Sequence, residues 1–304
     1  MINELVDGSY QAKILKDSMS PDNVRLTTFE ITYPRFVHSE LMTHRIFSRN
    51  SASSRALPIS KVIERVKTNP VLPVWWGKNQ SGMQAYEEFN SSDQSELIER
   101  WLYARDNAVK DAEILLHRGV HKQLVNRLLE PWMWITVLVT ATEWQNFFAL
   151  RAHPDAQPEI RKIAEMMKEL YEKNAHLCDH LKYNEWHLPL TNPLEPKALL
   201  AEGFTIEQIK KISAGRSARV SYLTHDGKRD PMADIELCDR LRVSGHMSPL
   251  EHVARPMTKK EIKLYSSKAH KLQTNKLPFC GNFCGWVQFR KEIPNEDNFG
   301  MMKV

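Results

Sequence analysis

Apolar and polar positions along this 304-residue chain fall into short stretches of strand and helix periodicity. Residues 24–33, VRLTTFEITY, are rich in β-branched and aromatic side chains and end at Pro34, which reads as a strand. The segment that follows, RFVHSELMTHRIFSRN, reads as a short helix or turn. Pro58 opens a predicted helix in which Ile59, Val62, Ile63 and Val66 recur at helical spacing. Residues 69–96, with Pro, Trp, Gly and Ser clustered, read as a long surface excursion. From Leu97 to Gly119 the positions Leu97, Trp101, Leu102, Ala108, Ala112, Leu115 and Leu116 describe an amphipathic helix with a glycine stop. A further helix is expected over 121–130. The nearly all-apolar run Trp134–Thr142 suits a buried strand, although periodicity alone leaves a buried helix open. After Pro158, the residues Ile160, Ile163, Ala164, Met167, Leu170 and Tyr171 give an amphipathic helix. The tail has a helical start at Ile206, then SARVSYLTHDG, a helix through Leu237 and Leu241, the turn GHMSPLEH and a final GNFCGWVQFRK. No solenoid-type period runs through it.

Composition narrows the class. An apolar fraction of 42% in a chain of this length can bury a large core, as one elaborate domain or two small ones. The net charge of +5 fits a slightly basic surface or a protein that gathers phosphate-bearing ligands. No arginine-rich tract or basic-aromatic platform points to nucleic acid. The longest apolar stretch, Trp132 to Ala141, is too short for a bilayer, and the amino terminus does not read as a leader. A cytoplasmic protein without membrane partners is expected. The four cysteines form no disulfide framework, and the C-x3-C of Cys280 and Cys284 is a weak metal signal, so no metal is assigned.

Three clusters could carry chemistry. Thr43 to Arg55 holds three arginines, one histidine and four serines within thirteen residues, a run poorly suited to a core. Arginine forks and serine hydroxyls together make a pocket for a phosphorylated ligand, and the plain alternative is a solvated turn. The second cluster, Asn146 to Gln157, joins the apolar strand to the long helix. Helix capping at Pro158 explains Asp155 but not Asn146 or Arg151. The third, Gly245 to His252, is a capped turn or a site element; no zinc spacing accompanies its two histidines. His117 and His121 are separated by Gly119 and read as surface residues. The chain has no G-x-G-x-x-G, P-loop, H-E-x-x-H or G-x-S-x-G signature.

The first two clusters, in this order and at this distance, resemble the flavin-dependent thymidylate synthases. That family has an Arg-His-Arg motif, then a serine, then a Ser-Gly-Arg-like turn; the counterpart here reads Thr43-His44-Arg45, Ser48, Ser53-Ser54-Arg55. The stretch Asn126 to Pro131, then Glu143 to Arg151 and Ala156-Gln157, is similar to the family's second block. The resemblance spans roughly residues 29–175. It implies an α+β fold, a mixed sheet flanked by helices, with a flavin- and nucleotide-binding core over 1–200 that carries an insertion at about 69–96. Ala218 to Tyr222 and His246 to His252 resemble segments that ordinarily precede the first motif, so 201–304 reads as a permuted or duplicated half. By the same resemblance Gln288 and Arg290 would replace residues absent near Thr43.

Carried over by position, the resemblance assigns His44, Arg45, Ser48, Asn50, Asn146 and His252 to the cofactor. Glu40, Ser53, Ser54, Arg55, Arg127 and Arg151 go to the nucleotide, with Arg151 as the catalytic group against the pyrimidine. It implies FAD as cofactor, NADPH and methylenetetrahydrofolate as co-substrates, dUMP as methyl acceptor and a homotetramer. The absence of cysteine near either motif agrees, and disfavours a cysteine-dependent synthase. Departures fall at Thr43 for arginine, Glu40 for glutamine, Ser51 for an acidic residue, Ser54 for glycine and Asp155 for histidine. They leave room for hydroxymethylation of deoxyuridylate, or for a nucleotide- or RNA-binding relative without flavin.

Overall fold

The computed structural model describes residues 3–220, 230–268, 277–298 and 300. A hairpin of β1 (Glu4–Asp7) and β2 (Tyr10–Met19) turns through Gly8 at φ +61°, a conformation that favours glycine in a two-residue loop. The predicted strand at 24–33 is β3 (Arg25–Pro34), antiparallel to β2. The next segment forms a single 3-10 turn, Arg35–Val37, then α1 (His38–Met42), and then β4 (Ser48–Ser51), a strand the sequence reading had not placed.

The helix expected from Pro58 is α2 (Ile59–Thr68), with Ile59, Val62, Ile63 and Val66 all buried. The excursion ends sooner than expected. Asn90 caps the Asp93 N–H and starts α3 (Ser91–His117), so residues 91–96 are helical. The helix expected over 121–130 is only α4 (Lys122–Val125), continued by 3-10 turns over Asn126–Trp132. Pro131, which has no N–H to donate, lies near the end of that segment. The apolar run is the strand β5 (Trp134–Ala141), which settles the helix alternative.

After α5 (Gln145–Arg151) comes α6 (Pro158–Lys173), with Ile160, Ile163, Ala164, Met167 and Leu170 buried as its periodicity predicted. The short β6 (Asp179–His180) joins the end of β2 in parallel. The main sheet runs β1-β2-β3-β5-β4. One face buries Phe29, Ile31, Tyr33, Val137 and Val139 against α5 and α6.

The tail covers part of the other face, around Leu26, Thr28 and Thr140. It contains α7 (Glu195–Ala201), α8 (Ile206–Arg219), α9 (Pro231–Val243), the 3-10 turn Ser248–Glu251, β7 (Ala254–Pro256), α10 (Lys259–Lys268), β8 (Phe279–Cys280), β9 (Phe283–Cys284) and β10 (Trp286–Gln288). Ser221 and Tyr222 of the third family-like segment lie outside the described residues. Leu26 packs with Ala254, Phe283 and Trp286 at the junction. Beside them a buried polar line crosses the sheet. His187 Nδ1 lies 2.9 Å from Ser18 Oγ, and its Nε2 lies 2.8 Å from Thr28 Oγ1. Thr28 Oγ1 meets Thr140 Oγ1 at 2.7 Å, and Thr140 meets His252 Nδ1 at 2.7 Å. Among the described residues no helix is long and apolar enough to cross a membrane, and no group of three or more His, Cys, Asp or Glu side chains could hold a metal ion.

Candidate active site

Leu41 and Phe47 are buried, which pins both ends of the turn between α1 and β4 and carries His44 inward. The backbone tightens there through Thr43 N–H to Glu40 O and Phe47 N–H to His44 O. From the other side, α5 anchors Phe147 and Phe148 in the core, which brings Arg151, one turn beyond Phe147, against the same turn. Arg151 then joins the two motifs. Its Nη1 donates to Glu40 Oε2 at 2.5 Å, its Nε to His44 Nε2 at 3.1 Å, and its Nη2 to Thr43 Oγ1 at 3.2 Å.

The electrostatics follow from burial. His44 is pushed down to about 4, first by burial and then by the Arg151 and Arg49 charges, so near neutrality its Nε2 is free to accept from Arg151. The Glu40 carboxyl is raised by burial and by the Glu159 charge, against the pull of Arg151. His44 also stacks on Phe47, with centroids 5.7 Å apart, and meets Phe147 edge-on at 5.0 Å. These groups border a cavity of about 300 Å³ lined by Thr43, His44, Arg45, Phe47, Glu143 and Asn146, among others. Arg45 and Asn146 are exposed at its rim.

A second cavity, of about 400 Å³, lies where β4 and its following turn meet the tail. Asn50, Ser53 and Arg55 come from the first motif; Ala218, His246 and Ser248 come from the tail. Asn50 is the buried rivet between them: its Nδ2 donates to Ser217 O at 3.0 Å and its Oδ1 accepts from Ser248 Oγ at 2.7 Å. Ser48 is held by Gln288 Nε2 at 3.0 Å. Arg290 is committed to Glu251 and Glu296, both at 2.6 Å.

The residues singled out from sequence therefore occupy distinct places. His44, Arg45 and Asn146 line the first cavity, Arg151 and Glu40 are tied to its edge through the Arg151 bonds to His44 and Thr43 without lining it, and Asn50, Ser53 and Arg55 line the second. Ser54 and Arg127 converge instead on Glu130, at 3.0 and 2.8 Å. His252 is fully buried in the polar line and borders neither cavity. Burial alone pushes its imidazole down to about 3. Sequence reasoning gave no role to Glu143 or Glu130, whose signal was an acidic residue inside each otherwise basic or amide-rich block.

A comparison with protein families matches residues 11–175 to the family described as "Thymidylate synthase complementing protein". The chain belongs to this family. It is the flavin-dependent thymidylate synthase family that the two motifs resembled. The match ends just beyond α6, so the tail lies outside it. Among curated relatives, the flavin-dependent thymidylate synthase of Aquifex aeolicus is 28% identical over 149 residues, covering 47% of this chain and 44% of that protein. The one from Pyrococcus abyssi is 28% identical over 146 residues, covering 47% and 53%. The chain thus spans about half the length of the curated relatives it matches. Two solved structures of a UMP/dUMP methylase from Streptomyces cacaoi are also similar. The one bound with 5-Br dUMP has a TM-score of 0.42 at 21% identity over 49% of this chain and 67% of that one. The one bound with 5-Br UMP has 0.45 at 17% identity, over 55% and 90%.

Proposed function

We propose that this protein transfers a one-carbon unit to C5 of dUMP and reduces it to a methyl group, giving dTMP. Methylenetetrahydrofolate would donate the carbon, and NADPH would reduce FAD. The observation that carries the reading is the meeting of the two motifs at one cavity, with Arg151 bridging to Glu40, Thr43 and His44.

The residues at that cavity suit part of a flavin: a neutral imidazole, aromatic faces at Phe47 and Phe147, and exposed donors at Arg45 and Asn146. When bound, reduced FAD supplies the hydride. The chain's own task is binding and electrostatics. C5 of uracil is a poor nucleophile, and charge that develops on the ring oxygens is stabilised by a guanidinium in a dry pocket. Arg151 is assigned that role. In the free protein the Glu40 carboxylate offsets its charge, so the ring experiences the field of a dipole until that pair opens. Arg55 and Ser53, open to the second cavity, are assigned to the phosphate. We read 1–200 as the flavin and nucleotide core with its insertion, 201–304 as the permuted or duplicated half, and the working assembly as a homotetramer in the cytoplasm.

The test is mass analysis of dUMP after incubation with the protein, FAD, NADPH and methylenetetrahydrofolate. A methylated product is expected. A hydroxymethylated product would move the assignment to the sister reaction, and unchanged dUMP with a colourless protein would leave only a binding role. Arg151→Ala should abolish turnover while the protein stays yellow; full activity in that variant would refute its role.

A further inference from the structure

A third cavity, of about 460 Å³, lies between the outer face of β3 and β5 and the helix α2. It shares no lining residue with the other two. Along the turn after β4, Ala52 and Ser54 face this cavity, whereas Ser53 and Arg55 face the second one. The side chains around it hold an unusual surplus of donors.

Arg35 and Arg65 both line it, and no carboxylate does. Arg65, exposed on α2, makes no ion pair or side-chain hydrogen bond among the described residues. The Arg35 side chain is 15% exposed and forms an ion pair with Glu130, its Nε 2.9 Å from Oε1 but without the alignment of a hydrogen bond. That same oxygen already accepts from Arg127 Nη1 and Ser54 Oγ. Trp132 is 8% exposed, and its buried indole N–H has no acceptor among the described residues. Thr32 and Thr136 hydroxyls share one hydrogen bond at 3.0 Å, which leaves one O–H of the pair free to donate. Buried donors in proteins nearly always have an acceptor. A water would answer the indole alone. Glu130's single charge is shared between Arg35 and Arg127, so with Arg65 the cavity wall keeps a positive surplus that calls for an anion.

The remaining wall holds Ser9 and Asn69, bonded to each other at 3.0 Å, and the apolar Leu57, Val62, Val66, Met133 and the rings of Trp132 and Trp134. A volume of this size exceeds what a bare phosphate fills and lies in the range of small-molecule sites. We propose that this cavity is a second binding site, for a phosphate or carboxylate carried on a flat unsaturated ring. Arg35 and Arg65 take the oxyanion, the indole and threonine donors complete its shell, and the ring lies against the tryptophans and valines.

The probe is phenyl phosphate, titrated into the full chain by calorimetry up to the millimolar range, with inorganic phosphate and phenol as controls. One molecule of phenyl phosphate should bind per chain, more tightly than either control, and intrinsic tryptophan fluorescence should change with the same midpoint. Arg65→Ala, an exposed helix position that the fold tolerates, should weaken binding about tenfold. Arg55→Ala and saturating dUMP should leave it unchanged, which keeps this test apart from the nucleotide assignment. Loss of binding with Arg55→Ala, displacement by dUMP, indifference to Arg65→Ala, phosphate binding as tightly as phenyl phosphate, or no binding at all would each overturn the proposal.

Discussion

Acidification should loosen the tail from the sheet, because the polar line at their junction depends on two uncharged imidazoles. His252 is fully buried, with its Nδ1 on Thr140 and no partner at Nε2 among the described residues. Burial pushes it down to about 3, against about 6.5 in an unfolded chain. A group depressed in the folded state contributes stability that is whole above its unfolded value and is lost as pH falls toward its folded one. At pH 5 the unfolded chain binds nearly one proton more at this site, and integration from pH 8 gives a loss of about 2 kcal/mol. His187, lowered well below its ordinary value by burial, then by Lys16 and His252, adds to the loss in the same direction. The assay is urea unfolding followed by tryptophan fluorescence at pH 8, 7, 6 and 5, for the native chain and for His252→Gln, whose amide can still meet Thr140. At pH 8 the variant should be less stable. By pH 5 that gap should narrow by about 2 kcal/mol, since only the native chain pays for protonating residue 252. A gap that stays constant across the range would show that this imidazole is not held neutral, and the account of the junction would fail.

Two further outcomes follow from close contacts. Glu40→Gln removes a carboxylate from beside Arg151, so the KM for dianionic dUMP should fall severalfold, more at low salt than at high salt. A tenfold rise instead would mean that Glu40 touches the base directly. Gly215 in α8 lies against α9 so closely that an added Cβ would sit 2.2 Å from the Asp234 carbonyl oxygen. Gly215→Ala should therefore part the two helices and cost about 1–3 kcal/mol, read as a lowered Tm; an unchanged melt would refute that packing.

Much of the frame was legible because its signals are local. The buried stripes of α2 and α6 are written at helical spacing, and β5 is written as an apolar run. What escaped depends on partners distant in sequence. Ser48–Ser51 has no strand composition and becomes a strand only because β5 offers it an edge. The threonines and histidines of the polar line are single polar residues in apolar surroundings, and nothing local says that Thr28 and Thr140 stand opposite one another. At the candidate site, the motifs supplied His44 and Arg151, which lie 107 positions apart. Two positions where the chain departs from its family's pattern, Glu40 and Thr43, both bond Arg151 alongside His44. The departures thus define a local network of their own, which a motif comparison registers only as mismatch.

The tail changes what the family match means for this chain. The matched residues 11–175 carry Asn50, Ser53 and Arg55, but the cavity they face is closed by Ala218, His246 and Ser248 from outside the match. The junction is not a loose contact between independent units. Asn50 is bonded at both ends to tail residues, Gln288 holds Ser48, and Leu26 is buried under Phe283 and Trp286. The tail's own core reaches back through Leu199 to Leu188, next to the His187 that anchors the polar line on β2 and β3. Separating the parts would expose Leu26 with Phe283 and Trp286 and leave the buried hydroxyls and imidazoles of the polar line without partners. One wall of the cavity that Asn50, Ser53 and Arg55 face is therefore supplied in cis by Ala218, His246 and Ser248 of the tail.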